Sequence, residues 1–425
     1  MSIASHQPSW LRDPFCLRFA PAALRLAQAC FFLAVGTPLA AAAPPLSDPI
    51  FTGQKVDGST ISGRIVAIGA GKITIATDEG APQELPLGDL VKLARDPGTP
   101  PMSLEGSHVL LPGGDRLMRV VIKNSTETAI EIQGRSGLGR LAIPMECVLG
   151  MVLASPSEVD ALDQIWTCLE DESRTTEVVW MTNGDKLAGG FLGLDDRLIK
   201  FQIDGKTVEL DRTGVVAVGF GTSGVGYPRV DSSYLELTLV DGSRLGVTGA
   251  HIDKGRIVAT TRFGQVLWIP LAELVQLDPR TGSVIYLSER KPDAVTYDAY
   301  FGPIRPVRLD RTVEGHRFQL AGRVFERGLG TQSRTLLAYK LKPGDRRFQA
   351  LVGVDDRAGP LGSIVFRVLT DRQSRVTTPV MTFRDPPRPI DVDISQAKVL
   401  VLITEFGDRG DVRDLADWVE ARIIR

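Results

Sequence analysis

The chain has 425 residues, 43% of them hydrophobic, and its 49 basic and 51 acidic residues nearly cancel. This length and apolar content predict two to four folded domains and exclude a mainly disordered chain. The balanced charge lacks the positive field needed to grip a phosphate backbone, so we expect no nucleic-acid partner. The 43 glycines and 27 prolines favour many short strands joined by tight turns.

Residues 1–43 have the order of a signal peptide. Arginines precede an apolar run at residues 26–35, and small residues follow at 40–43. The run is much shorter than the ~20 residues that span a bilayer, so a cleaved signal is favoured over the alternative of a membrane anchor. We therefore expect a secreted or periplasmic protein of the cell envelope, with no integral membrane segment after the signal has been removed.

Residues 44–154 and 174–280 contain four similar stretches, two in each range. Each stretch has a tight glycine turn, a segment of period-two alternation and a closing apolar segment. The turn glycines and closing positions are Gly58 and Pro86, Gly114 and Pro144, Gly184 and Asp211, and Gly242 and Pro270. The spacing between these landmarks is nearly constant, which indicates an internal repeat. We expect each repeat to close into a small bent barrel or to pair with a neighbour. The pattern resembles small SH3-like and Sm-like barrels, which implies a fold and no function.

Residues 155–173 predict a helix that connects the second repeat to the third. Ser155 can cap it, with Pro156 at the first helical position and Glu158 completing a capping box. An apolar stripe at helical spacing, which includes Trp166, predicts that this tryptophan is packed rather than exposed. Outside the predicted signal the chain has two cysteines, Cys147 and Cys168. A disulfide between them and a pair of buried thiols explain the sequence equally well, and both stay open.

From residue 281 the repeat pattern stops. A charged stretch at residues 288–293 predicts a hinge. Beyond it the sequence predicts eight strands without an intervening helix, which indicates a two-sheet sandwich, a jelly roll, over residues 281–425. These strands are predicted at residues 324–325, 336–341, 347–354, 363–369, 380–383, 389–394, 399–404 and 418–424.

Four ordered motifs in this last third carry a family resemblance. They are RGLGTQS at residues 327–333, FQALVGVDD at 348–356, GSIVFRV at 362–368 and DLADWVEA at 414–421. Residues 283–425 thereby resemble the NPCBM family of carbohydrate-binding modules. The resemblance implies a galactose-binding-like β-sandwich that attaches to glycans without catalysis, often beside a glycosidase domain. Where the family has a histidine this chain has Gln332, which can hydrogen-bond but cannot titrate near neutral pH.

The motifs supply candidate glycan-binding residues: Gln332, Ser333, Arg334, Asp355, Asp356, Asp417 and Trp418. The Asp355–Asp356 pair could bind Ca²⁺ or sugar hydroxyls, or it could simply form a turn. Asp414 and Asp417 could join the same cluster or be solvated caps. Trp418 could stack on a pyranose ring or lie in the core, because it falls in an alternating strand.

No segment has room for the two rigidly placed carboxylates of a glycosidase, which stand about 5–10 Å apart. His108, His251 and His316 are isolated and expected at the surface, so a catalytic triad is not indicated. We therefore expect a non-catalytic protein whose partner is a glycan or polysaccharide, with no cofactor beyond a structural calcium ion. The alternative is an envelope scaffold that binds a protein partner and whose sandwich no longer binds sugar. An uncharacterised hydrolase is a third alternative.

Overall fold

The computed structural model describes residues 49–425 except for residues 78–79, 96–104, 136, 171–172, 229–232, 299 and 301–302. The predicted signal peptide at residues 1–43 lies outside the described residues. Within the described part, the chain is mainly β-structure, as the sequence predicts. No helix of this part is long and apolar enough to cross a membrane.

Each of the four repeats has five antiparallel strands among its described residues. The first repeat has β1 Phe51–Lys55, β2 Thr60–Gly69, β3 Lys72–Ala76, β4 Gln83–Pro86 and β5 Leu90–Arg95. The second has β6 Ser107–Leu110, β7 Arg116–Ser125, β8 Ala129–Gln133, β9 Arg140–Pro144 and β10 Gly150–Val152. The third has β11 Glu177–Met181, β12 Lys186–Leu194, β13 Leu198–Ile203, β14 Lys206–Asp211 and β15 Val215–Gly219. The fourth has β16 Tyr234–Leu239, β17 Arg244–Asp253, β18 Arg256–Thr261, β19 Val266–Pro270 and β20 Leu274–Arg280.

Within a repeat, the first strand pairs with both the second and the fifth, which closes a small barrel. The second strand contains a bulge where it leaves the first strand and joins the third, so it serves two sides of the barrel. The turn glycines Gly58, Gly114, Gly184 and Gly242 all have positive φ, between 79° and 92°. Glycine adopts this conformation without a steric penalty, which explains why it recurs at this point of each repeat.

The repeats pair in a nested order. In the outer pair, β5 of the first repeat joins β20 of the fourth, with Leu93 opposite Leu277. In the inner pair, β10 of the second repeat joins β15 of the third, with Met151 opposite Val218. One continuous apolar cluster contains buried residues from all four repeats, so the repeats share a core.

The connecting helix, α1, spans Val159–Leu169. The predicted cap is wrong. Glu158 occupies the N-cap position without a side-chain hydrogen bond, whereas Ser155 donates to the Gly106 carbonyl at 3.0 Å and lies 2.5 Å from Nε2 of His108. The helix therefore starts later than the sequence signal indicated. Trp166 is buried in a small cluster with residues of the second repeat, as the apolar stripe predicts.

The structure has thiols rather than a disulfide, with Cys147 buried and Cys168 half-buried. Cys147 and Cys168 are not joined to each other by a disulfide. The Cys147 thiol is buried and donates to the Gly226 carbonyl, and burial raises its pKa to about 11. This cysteine is therefore protonated and unreactive at neutral pH.

The C-terminal region is a β-sandwich. One sheet has the order β23-β26-β33-β28-β31, with β21 also paired to β33, and the other has the order β22-β27-β32-β29-β30. The first sheet comprises β21 Val284–Tyr286, β23 Arg308–Leu309, β26 Gly328–Gln332, β28 Arg347–Val354, β31 Arg388–Asp393 and β33 Leu415–Ile424. The second comprises β22 Ala294–Tyr297, β27 Thr335–Lys340, β29 Ile364–Thr370, β30 Gln373–Thr377 and β32 Val399–Phe406. A separate hairpin consists of β24 Phe318–Leu320 and β25 Arg323–Phe325.

The sandwich confirms the predicted fold and changes some of its strands. The predicted strand at residues 380–383 is only an isolated bridge between Met381 and Ile364. The sequence did not predict β26, whose two glycines lower its strand signal. It is nevertheless paired along its whole length with β33. The apolar run at the start of β32 lies between β27 and β29, at the centre of its sheet, as its apolar character predicts.

The expected hinge at residues 288–293 is not a hinge in this structure. Ser288 is buried, and Glu289 pairs with Arg280 of the fourth repeat and Arg327 of the sandwich. Just before it, β21 already belongs to a sandwich sheet. The repeats and the sandwich are therefore joined by a fixed connection, and the described residues from 49 to 425 belong to one compact unit.

Several ion pairs lie in the contact between the repeats, helix α1 and the sandwich. The helix presents Asp163 to Arg317, with 2.7 Å between Oδ1 and Nε, and Glu170 to Arg311 at 2.9 Å. Arg116 of the second repeat donates two hydrogen bonds to Glu326, each 3.0 Å long. The guanidinium groups of Arg116, Arg311 and Arg317 all lie within 6.0 Å of the Trp166 ring centre. Trp166 is thus the apolar centre of a charged contact.

Candidate functional site

Several candidate residues lie at one end of the sandwich, where strands begin or end. Strands β22, β26 and β32 end there and β27 begins there, as their pairings place Thr335 opposite both Tyr297 and Thr404. We refer to the accessible residues of this end as the rim: Asp298, Tyr300, Gln332, Arg334, Glu405 and Phe406. Glu326 and Arg327, which form ion pairs with the repeats, lie directly before the first residue of β26. The rim is thus at the last residue of β26, at the end away from those ion pairs.

The rim contains an exposed aromatic pair. Tyr300 is 64% exposed, and its ring packs edge-on against Phe406 with 5.8 Å between ring centres. Its backbone N–H donates to Oδ2 of Asp411 at 3.0 Å, which fixes the backbone at Tyr300. An aromatic ring held in this way offers a flat apolar surface to solvent, which suits the C–H face of a ring-shaped ligand.

Next to the aromatic pair, Arg334 is held between two carboxylates. Its Nε lies 2.8 Å from Oε1 of Glu405, and its Nη1 lies 3.3 Å from Oδ2 of Asp298. Gln332 donates from Nε2 to the Pro303 carbonyl at 3.2 Å, and its amide oxygen is an acceptor. The rim therefore combines an apolar face with several fixed donors and acceptors.

Beneath the rim, a buried hydrogen-bond network holds this segment in place. The hydroxyl of Ser333 donates to Asp414, whose other oxygen accepts from the Ser363 backbone N–H at 2.9 Å. Both Ser333 and Asp414 are buried. Burial raises the pKa of Asp414 to about 6, against the lowering effect of these two hydrogen bonds. Ser333 is therefore a support for the rim and has no surface to offer a ligand, which corrects its prediction as a sugar contact.

Asp355 and Asp417 form a buried carboxyl pair. Asp355 accepts from the backbone N–H groups of Gln319 at 3.0 Å and Arg357 at 2.9 Å. Neither oxygen of Asp417 receives a hydrogen bond from a donor group of the described residues. Burial, and then the charge of Asp355, raise the pKa of Asp417 well above its ordinary value. Burial and the neighbouring carboxylate thus both favour the neutral form of Asp417. Both side chains are inaccessible, so their prediction as direct sugar contacts is wrong.

Asp356 is part of a turn. Its Oδ1 accepts from the Ala321 N–H and its Oδ2 from the Gly322 N–H, each at 2.8 Å, so it holds the turn between β24 and β25. Each of the four carboxylate oxygens of Asp355 and Asp356 accepts a hydrogen bond from a backbone N–H group. The pair therefore has the turn role, one of the two alternatives that the sequence left open. Within the described residues, the cluster of acidic and histidine side chains close enough to share a metal ion is a different one, Asp160, Asp163 and His316.

Trp418 lies in the core. It is fully buried between Phe366 and Phe348, with ring centres 5.2 Å and 6.5 Å away, and its Nε1–H donates to Oγ1 of Thr404 at 3.1 Å. The alternating strand that suggested a core position for Trp418 is β33, and Trp418 is on the inner face of that strand. It has no surface on which a sugar could stack, so of the two alternatives for Trp418 the structure has the core position.

The surface expectation for the histidines is also wrong in part. His108 and His316 are buried, and His251 is exposed. Burial lowers the pKa of His108 to about 4, so it is neutral at physiological pH.

Sequence reasoning missed Tyr300, Phe406, Glu405 and Asp298. The available signal was Tyr300 itself, an aromatic residue just after strand β22, where no alternation calls for a core residue. Of the seven predicted residues, Gln332 and Arg334 are accessible and face the same rim as these four. The structure thus separates the predicted set into two rim residues and a mainly buried frame.

A cleft of about 460 Å³ lies between the second and third repeats. Its walls come from the turn at residues 125–128 and from residues 192–195, with Leu198 and Lys200 at its side. It is a surface feature of the repeats rather than of the sandwich.

Comparison with known families assigns the C-terminal third. Residues 283–424 match the NPCBM/NEW2 domain. The chain therefore carries an NPCBM/NEW2 domain, as its motifs indicated.

A relative from Renibacterium salmoninarum, named as an endo-alpha-N-acetylgalactosaminidase, is 28% identical over 111 residues. This match covers 26% of the present chain and only 7% of the relative.

Two solved structures are similar in part. A CBM51 module of Clostridium perfringens GH95, in complex with methyl-galactose, is 23% identical and covers 33% of this chain and 99% of its own, with a TM-score of 0.31. The tandem CBM51 modules of a family 98 glycoside hydrolase from Streptococcus pneumoniae are 13% identical and cover 61% of this chain and 90% of their own, with a TM-score of 0.30.

Proposed function

We propose that this protein is an exported, non-catalytic glycan-binding protein and that the rim of its C-terminal sandwich holds the sugar. The observation that carries the proposal is the exposed Tyr300, fixed on Phe406 beside Arg334. The NPCBM/NEW2 match over residues 283–424 supports the ligand class. The signal-like order of residues 1–43 supports export.

The chemistry of the rim suits a neutral pyranose. The ring of Tyr300 would cover the apolar C–H face of the sugar, while Arg334 donates to ring hydroxyls and Glu405 and Asp298 accept from them. Because Arg334 is already held by two carboxylates, little side-chain entropy remains to be lost when a sugar binds. Gln332 would add its amide oxygen as an acceptor.

Recognition without cleavage is supported by the placement of the carboxylates. Asp355 and Asp417 are buried and paired with each other, so neither can reach a glycosidic bond or activate a water molecule. Asp298 and Glu405 are both paired with Arg334, which suits them to hold a ligand in place. The proposal includes no calcium ion, because backbone donors occupy both oxygens of Asp356.

The test is a glycan array probed with residues 44–425, since the sandwich is joined to the repeats by buried ion pairs. We expect binding to a defined set of glycans, unchanged by EDTA. Tyr300→Ala should weaken it about tenfold, which corresponds to ~1.4 kcal/mol, whereas Tyr300→Phe, which keeps the ring, should retain most of it. Silence of the wild type on the array, or equal binding by Tyr300→Ala, would overturn the proposal.

A scaffold role is the second candidate, and the cleft between the second and third repeats favours it. Its test is capture of one stoichiometric envelope protein by residues 44–425 and loss of that protein with Leu192→Arg. A wild type that is silent toward glycans and gains binding with Gln332→His would also support this candidate, since the departure from the family would then explain the lost sugar affinity.

A further inference from the structure

The fourth repeat exposes a tryptophan on the outer face of its barrel. Trp268, on β19, is 50% exposed, and Val266, two residues earlier on the same face, is 55% exposed. Of the other tryptophans that the structure describes, Trp166 and Trp418 are buried and Trp180 is half-buried. Trp268 is therefore the indole most accessible to a ligand in the described part of the chain.

Strand register places three side chains in a line across this face. His251 of β17 is opposite Val258 of β18, and Val258 is opposite Trp268 of β19. We refer to these three residues as the aromatic row. On one side of it, Thr248, Thr260 and Val266 form a parallel line on the same face, and on the other side lie Asp253, Arg256 and Pro270. Val258 is buried between the exposed His251 and Trp268. The intervening residues of β19, Leu267 and Ile269, are buried, so the barrel has its core on the other face.

The other repeats provide an internal control, because the same register can be read in each. The equivalent lines are Ala67, Thr74 and Glu84 in the first repeat, Asn124, Glu131 and Ala142 in the second, and Gly193, Lys200 and Glu209 in the third. Each of these contains at least one charged side chain, and each lacks an aromatic residue. A closed barrel therefore does not require tryptophan at this position.

Only in the fourth repeat is the line free of carboxylate and ammonium groups. An uncharged ligand with an apolar face fits the uncharged row and the threonine line beside it better than an ionic one, because it gives up no charge hydration on binding. The indole offers the apolar contact, while the imidazole of His251 and the hydroxyls of Thr248 and Thr260 border it with hydrogen-bonding groups. A neutral pyranose has this combination of an apolar face and peripheral hydroxyls.

We propose that the aromatic row is a second glycan-binding surface, on which Trp268 stacks against a neutral sugar residue. The ligand class rests on the proposed function of the rim, whereas the site is separate from it. Two surfaces on one rigid unit would let a polysaccharide bind at two points, and the gain in avidity depends on the spacing of its sugars.

The experiment uses residues 44–425 and neutral oligosaccharides of galactose, N-acetylgalactosamine and N-acetylglucosamine. Acrylamide quenching of intrinsic fluorescence reports the exposed indole. We expect a bound oligosaccharide to shield the quenchable fraction in the wild type, and the shielded signal to be absent in Trp268→Phe. Trp268→Ala should weaken binding to the matching immobilised polysaccharide about tenfold, with Glu209→Ala, at the equivalent position of the third repeat, as the matched control. Circular dichroism and the melting temperature check that Trp268→Ala is folded.

Combination with Tyr300→Ala separates the two proposals. Loss of polysaccharide binding with Trp268→Ala but not with Tyr300→Ala would support the aromatic row and refute the rim. Loss with Tyr300→Ala alone, and no shielding of fluorescence, would refute the aromatic row and leave the rim. A wild type that binds none of the sugars would refute both. A concentration-dependent dimer of the wild type that Trp268→Ala abolishes, without any sugar effect, would show that a second copy of the chain covers this face and would overturn the inference.

Discussion

Removing the charge of Asp163 tests the contact between helix α1 and the sandwich. Asp163 is fully buried and accepts two hydrogen bonds from Arg317, at 2.7 Å from Nε and 3.0 Å from the backbone N–H. Asp163→Asn keeps the size of the side chain but removes the carboxylate that is hydrogen-bonded to the buried Arg317 guanidinium. Breaking one partner of a buried pair costs about 3–5 kcal/mol. We expect a value near the lower end, because Arg317 also lies 5.7 Å from the ring of Trp166.

The measurement is a double-mutant cycle with Arg317→Met, followed by calorimetry and urea unfolding. The wild type should melt in one transition, because the described residues from 49 to 425 belong to one compact unit. For a unit of this size, a loss of about 3 kcal/mol should lower the melting temperature by about 4 °C. The double variant should be more stable than the sum of the single losses predicts, by at least ~2 kcal/mol, since no buried charge is then left unpaired. Additive effects, within about 0.5 kcal/mol, would refute the coupling of these two residues.

Three further predictions concern carboxyl groups of the sandwich. The pKa of Asp414 is raised from 3.8 to about 6, so the stability it contributes is present below pH ~4 and is lost as the pH rises through 6, by roughly 3 kcal/mol in total. Melting curves of Asp414→Asn between pH 4 and 8 should lack this decline; an unchanged pH profile would contradict the assigned burial effect. The raised pKa of Asp417 has the same sign, so Asp417→Asn, which donates to Asp355 without taking up a proton, should stabilise the protein increasingly as the pH rises. Equal melting temperatures of this variant and the wild type at pH 8 would count against a carboxyl pair. Asp356→Ala should release the turn between β24 and β25, seen as faster amide exchange at Ala321 and Gly322, while amides of β33 stay protected; unchanged exchange at Ala321 and Gly322 would show that other contacts hold the turn.

The repeats could be predicted because their signals are local. A turn glycine with positive φ, such as Gly184, and a segment of strict alternation each depend on a few neighbouring residues. The four copies then reinforce one another. The sequence could not predict which repeats pair with each other, because the antiparallel pairing of β5 with β20 joins residues far apart in the chain.

The candidate site was predicted only in part, because a motif does not show which way its residues face. Gln332 and Arg334 are accessible, while Ser333 between them is buried, as expected for neighbouring residues that point to opposite sides. Trp418 and Asp417 both belong to the motif of β33, yet each is inaccessible because this strand is covered on both faces. Family motifs of this kind contain residues that build the sandwich as well as residues that could bind.

The charged contact with the repeats was not predictable from spacing. Arg116 and Glu326, or Asp163 and Arg317, are separated by long stretches of chain, and each has an ordinary surface-like neighbourhood in the sequence. Their burial results from two folded parts meeting. The predicted hinge failed for the same reason, because Glu289 is held by arginines from both sides.

The nested pairing of the repeats has a consequence for how the chain matures. The second and third repeats can join as soon as both have emerged, but β5 must wait until β20 has been synthesised. Until then the edge of β5 is open, and open edges invite pairing with other molecules. Long-range closure of this type is slow. Assembly from the inside outward would therefore expose an early intermediate to aggregation, and shortening the protein after its third repeat would leave that edge permanently unprotected.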